Sequence, residues 1–122
     1  MENVIAVDSE MIQVAVMEPD GKQCLLKQIN DDDFEIIRLL GEEYTEHYIK
    51  GSRICLLSAD NPELPAFPRD VETEQGIEKL YGPVMAVSYN EKNEMSSLSG
   101  DQLQTVKRWY FGEEGFSSVS DK

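Results

Sequence analysis

Residues 11 to 17, MIQVAVM, are apolar on both sides of an extended chain. Ile12, Val14 and Val16 fall on one side of the alternation, and Met11, Ala15 and Met17 on the other. A strand of this kind belongs inside a sheet or under a cover, because either face left in water would expose apolar surface. The rest of the chain must therefore supply neighbouring strands and covering elements. EPDG follows, with Pro19 at the second turn position and Gly21 at the fourth, then KQCLLKQI over 22–29. Proline presets φ and glycine suits the close of a type I turn, so the spacing predicts a β-hairpin.

The chain continues in the same idiom. EEYTEHYI and RICLLSA (53–59) read as two strands around KGS, the second strongly apolar. YGPVMAVSY (81–89) reads as a strand with Pro83 at its start or on an edge. NEKNE makes a turn, and MSSL pairs back briefly. Between them, residues 60–78 hold three prolines and no period, which predicts a long irregular connection of functional or mobile type. Pro62, Pro65 and Pro68 recur every third residue, the polyproline II repeat. Arg69 stands among Asp60, Glu63, Asp70 and Glu72, so pinning the loop through carbonyls or an internal ion pair is expected over display as an SH3-type ligand.

Two helices are expected. Phe34, Ile37 and Leu40 recur at helical spacing, with Ile36 and Leu39 widening the stripe, Tyr44 continuing it and Gly41 at a left-handed cap. In LSGDQLQTVKRWYFG, Ser99 and Gln102 form a capping box flanked by Leu98 and Leu103, and Gly112 ends the helix. Leu103, Val106 and Tyr110 form its stripe, leaving one of Trp109 and Phe111 for solvent. The expected fold is α+β, a mostly antiparallel sheet of about five strands with two helices packed on one face. One domain is expected over 1–115, with residues 116–122 as a frayed tail.

Charge restricts function. Twenty-four acids against eleven bases give −13, spread from Glu2 to Asp121. Tight nucleic-acid binding needs Lys and Arg to neutralise phosphates, so DNA, RNA and anionic membranes are excluded as direct partners, and basic surfaces are favoured. The same excess also serves solubility alone. Residues 31–46 carry net −6 and residues 60–78 net −5, most of the total. Cys24 and Cys55 lie in apolar runs and predict buried thiols, and a single histidine leaves too few soft ligands for zinc. No cofactor or metal is expected. MENVIAVDSEMIQVAVM lacks a basic leader and a long apolar core, so no signal peptide is expected, and the cytoplasm follows by elimination.

INDDDFEIIRLL places three aspartates before an apolar run. Asp31, Asp33 and Glu35 alternate as in a calcium loop, but Ile36 stands where such a loop needs glycine. Helix initiation is the better reading. Asn30 or Asp31 caps the helix, and the following acids face the positive end of its dipole, each contributing about 0.3–1 kcal/mol. His47, in TEHYI, reads as a half-exposed strand residue and not as a base. No catalytic residue is assigned.

VAVMEPDGKQCLLKQI, PRDVETEQGIEKLYGPVMAV and SSLSGDQLQTVKRWYF, in that order, resemble the family called domain of unknown function 3846, short proteins of bacteria, phages and mobile elements. Glu18, Pro19 and Gly21 echo its V-E-P-G start. Pro68 and Arg69 echo its N-R, with Pro68 in place of the asparagine. Leu80 and Gly82 echo its I-x-G strand, and Ser97, Leu98 and Ser99 its S-L-T. The resemblance spans about residues 12–111 and implies mobile-element origin without supplying a catalytic residue.

The functional expectation is a non-enzymatic acidic module that engages a basic protein surface, for example that of a nucleic-acid-binding enzyme. The contacting residues would be Asp31, Asp32, Asp33, Glu35, Glu42, Glu43, Glu46, Glu63, Arg69, Asp70, Glu72 and Glu74. One alternative is a DNA mimic that inhibits a host defence nuclease, which requires the two acidic segments to form one continuous band. Another is a metal-dependent enzyme using a carboxylate pair.

Overall fold

The computed structural model describes residues 11–30 and 34–112. Strands β1 (Met11–Met17) and β2 (Cys24–Asn30) form the hairpin. The Gly21 amide donates to the Glu18 carbonyl at 3.2 Å, and Gly21 takes φ +77°. Helix α1 (Phe34–Leu40) follows, then β3 (Tyr44–Tyr48), β4 (Ile54–Ala59), β5 (Val71–Thr73), β6 (Gly76–Glu78), β7 (Val84–Tyr89), β8 (Met95–Ser96) and α2 (Gly100–Tyr110). The main sheet is antiparallel in the order β2-β1-β7-β4-β3, and β8 pairs with the far end of β7. The α+β class is therefore observed.

The helices, however, lie on opposite faces of the sheet and not on one. Ala15, Met17, Ile54, Leu56, Val84 and Ala86 face a core closed by Val106, Trp109 and Tyr110 of α2 together with Phe67, Val71 and Leu80. Val14, Val16, Cys55, Leu57, Met85 and Val87 face a second core closed by Ile36 and Leu40 of α1. The reason lies in the strands. All six residues of β4 are buried, and β1 and β7 are apolar on both sides, so one covered face would leave the other in water.

The two covers differ in substance. Helix α1 has seven residues, about two turns, and Gly41 closes it by donating to the Ile37 carbonyl at 2.8 Å. A helix this short is unstable alone, so Ile36 and Leu40 hold it down, at about 1.5–3 kcal/mol for each buried side chain. Asn30 ends β2, and Asp31–Asp33 lie outside the described residues, as does the expected tail at 116–122. Helix α2 begins as its sequence requires. Ser99 Oγ accepts from the Gln102 amide at 3.1 Å, and Gln102 Oε1 accepts from the Ser99 amide at 2.8 Å. Gln102 Nε2 also donates to Ser88 Oγ on β7 at 2.9 Å, tying the cap to the sheet.

Residues 60–78 are not structureless. Phe67 and Gly82 hydrogen-bond to Leu80 and Pro65, and β5 and β6 form a hairpin across the α2-side core. Phe67 stacks on Trp109 with centroids 5.7 Å apart, and Trp109 Nε1 donates to the Asp70 carbonyl at 3.1 Å. Trp109 is thus the buried member of its pair and Phe111 the exposed one. Arg69 Nε donates to the Tyr110 carbonyl at 3.4 Å, so Arg69 pins this segment to the end of α2. The three prolines stay exposed on the outer edge.

Candidate functional site: the acidic edge at strand β3

Strand β3 is the last strand of the sheet, and the two acidic segments meet along it. The Asp60 amide donates to the Glu43 carbonyl at 3.2 Å, and the Lys50 amide to the Glu72 carbonyl at 3.1 Å. Glu42, Glu43 and Glu46 are exposed just before and on β3, and Glu74 is exposed on the β5–β6 turn. Glu63 and Asp70 are exposed elsewhere on the 60–78 segment, while Glu72 and Arg69 are half-buried. Three of the acids are compensated at long range: Glu35 by Arg38, Glu72 by Lys50 and Asp70 by Lys79, each at 3.8 Å. Among the described residues Glu42, Glu43, Glu46, Glu63 and Glu74 make no ion pair, so their field is unopposed locally. Glu35 sits on α1, across the sheet from the 60–78 segment, and Asp31, Asp32 and Asp33 lie outside the described residues.

The inner side of β3 holds His47, which is buried and not half-exposed. Its Nδ1 lies 2.6 Å from Glu78 Oε1, and its Nε2 lies 3.0 Å from Ser58 Oγ. Thr73 Oγ1 donates to the other Glu78 oxygen at 3.1 Å. Serine, imidazole and carboxylate in this order have the connectivity of a nucleophile relay. Access decides against that use. Ser58 is 2% exposed on β4, behind the imidazole, and the open cleft beside His47 is lined by Thr73, Glu74, Gln75 and Glu78, without the serine. Ser58 is thus closed off from the cleft in this arrangement, and the hydrogen bonds of the cluster tie β5–β6 to β3 and β4. Among the described residues no three His, Cys, Asp or Glu side chains converge as a metal-binding group.

The outer side of β3 presents Tyr44, Glu46 and Tyr48, alternate residues of one strand and so one face. With Tyr89 from β7 they wall a cavity of about 140 Å³, floored by Ile36, Leu57 and Val87. Tyr48 and Tyr89 meet edge to face, centroids 4.9 Å apart, and Tyr48 Oη donates to Glu46 Oε1 at 3.1 Å. Burial, then the Cys55 thiol, then Glu46, push the Tyr48 hydroxyl up to about 12. Burial, then Glu46, push the Cys55 thiol up to about 12. Both groups stay neutral because a second negative charge here would be poorly solvated and would face Glu46.

Sequence reasoning brought out the acids of this edge and missed its two constellations. The Tyr44-x-Glu46-x-Tyr48 alternation was a usable signal, since period two alone puts the three on one face. Nothing local announced Ser58–His47–Glu78, whose members are up to 31 residues apart. No family model, no curated protein and no solved structure matches this chain, so the site stands on its own geometry.

Proposed function

We propose that the protein is a non-enzymatic acidic module that binds a basic surface of another protein through the edge at β3. The observation that carries this reading is the set of exposed carboxylates at Glu42, Glu43, Glu46 and Glu74, none ion-paired among the described residues, gathered about one edge strand. Exposed like charges so placed raise the local concentration of a cationic partner and speed its encounter, more strongly at low salt. The mobile-element origin implied by the resemblance is compatible with such a role, since one acidic chain can occupy the basic site of an enzyme it did not evolve with. The duplex-mimic version has less support. It needs one band of charge, whereas α1 and the 60–78 segment cover opposite faces, and among the described residues the backbone bond between the two acidic segments joins Asp60 to Glu43 at the start of β3.

The test is titration of the full chain with a decalysine peptide, compared between the native protein and two triple variants. Glu42→Lys, Glu43→Lys and Glu46→Lys together should weaken binding by about tenfold or more, about 1.4 kcal/mol. Reversal of Asp20, Glu91 and Asp101, exposed and outside the lining of the cavity beside β3, should change it little. Equal losses from both triple variants, or affinity that does not fall with added salt, would refute a site at β3.

A further inference from the structure

We infer that the cavity between Tyr44, Tyr48 and Tyr89 seats one alkylammonium head group, that of a lysine on the basic partner surface. The inference rests on the reading above and assigns a position and a chemistry within it. Three tyrosines and one carboxylate line the space, and its floor is aliphatic. An aromatic ring is negative over its face, so a cation held there is attracted, and more strongly once it is desolvated. A partner lysine enters head first, so its ammonium comes to the tyrosines and Glu46 while its methylenes trail toward the rim.

Size points the same way. About 140 Å³ is far below the roughly 300–1,000 Å³ of sites that enclose a whole small molecule, so a single head group fits and a nucleotide or a cofactor does not. Charge agrees as well. Glu46 is an exposed lining carboxylate, and the Tyr48 hydroxyl donates to its Oε1. A competing positive charge is Arg53, whose guanidinium lies 5.8 Å from the Tyr89 centroid. It is held outward by the Asn90 carbonyl at 2.9 Å and does not line the cavity. Tyr89 therefore already carries one cation, and Glu46 offsets its repulsion toward a second.

The experiment uses isotope-labelled full chain and two peptides, acetyl-Gly-Lys-Gly-amide and the same peptide acetylated on the lysine Nε. The ammonium peptide should shift resonances of residues 44–48 and 89, and the neutral peptide should bind at least about tenfold more weakly. Glu46→Gln, at an exposed position and without a change of shape, should lower affinity about threefold to tenfold, and Tyr48→Ala by a similar factor. Equal binding of the acetylated peptide would overturn the inference. So would decalysine binding that survives Tyr48→Ala and Glu46→Gln with no shift at residue 89, and that result would leave the acidic-edge reading standing. Failure of decalysine to bind at all would remove both.

Discussion

Glu78→Ala distinguishes a tether from a relay at His47. In the native chain the Glu78 carboxylate accepts from the imidazole at 2.6 Å and from Thr73 Oγ1 at 3.1 Å, with the His47 side chain 8% exposed and that of Glu78 26%. A hydrogen bond to a charged group is worth about 1.5–3 kcal/mol net, and a buried donor left unmatched costs about 1–3 kcal/mol. Thr73 keeps a second acceptor in the Gly76 carbonyl at 3.3 Å, so its loss is softened. Partial exposure of Glu78 discounts the ionic share. Together these give a destabilisation of about 2–4 kcal/mol, or roughly 8–16 °C at about 4 °C per kcal/mol for a domain of this size. Glu78→Gln keeps one acceptor and should lose about half as much. The assay is thermal and urea unfolding, with hydrogen exchange at residues 71–78 reporting whether β5–β6 detaches first. A midpoint that moves by less than about 2 °C would refute the tether. So would hydrolysis of a p-nitrophenyl ester by the native chain that disappears in Ser58→Ala, because the serine would then be reachable.

Ser99→Ala removes one half of the capping box of α2 and should cost about 1 kcal/mol in urea unfolding, with the loss carried by helix 100–110. Gly112→Ala places a Cβ against Arg69 Nη2 at φ +83° and should cost about 1–2 kcal/mol, and Arg69→Ala should relieve the steric part in the double variant. Cys55, at 3% exposure and with its thiol held up to about 12, should react with a disulfide reagent near pH 8 only when the α1 side opens, and Cys24, half-buried, should react sooner. Cys55 and Tyr48 keep their protons when folded and lose them at lower pH when unfolded, so stability is full below about pH 9 and falls as pH rises toward 12. Urea midpoints that rise over this range would contradict that sign.

Legibility followed the range of the interaction that fixed each element. The β1–β2 turn, the cap of α2 and the αL glycine after α1 are set by neighbours within a few residues, and they were readable as such. The placement of α1 across the sheet from α2 was readable in principle. MIQVAVM and ICLLSA are apolar on both faces, and that pattern should have called for two covers where one was expected. The β5–β6 hairpin escaped because its strands have three residues each and its alternation, Val71 and Thr73 about Glu72, is too short to stand out among prolines and acids. His47 escaped for another reason. Flanked by Glu46 and Tyr48 it reads as surface, and only Ser58 and Glu78, distant in sequence, make its burial tolerable. The acids at 42–46 and 72–74 were legible as charge, but their meeting at one edge depends on strand order.

The unequal lids on the sheet give the molecule a firm side and a yielding one. Tyr110 reaches the Glu18 carbonyl at 2.6 Å, Trp109 reaches Asp70 and Arg69 reaches Tyr110, so α2 is riveted to the hairpin and to the long segment around it. Across the sheet, the seven-residue α1 buries two side chains. Fluctuations that admit water should begin under α1, beside the tyrosine cavity, while the opposite half keeps its shape. A visitor could then remould its own seat without loosening the frame that carries it.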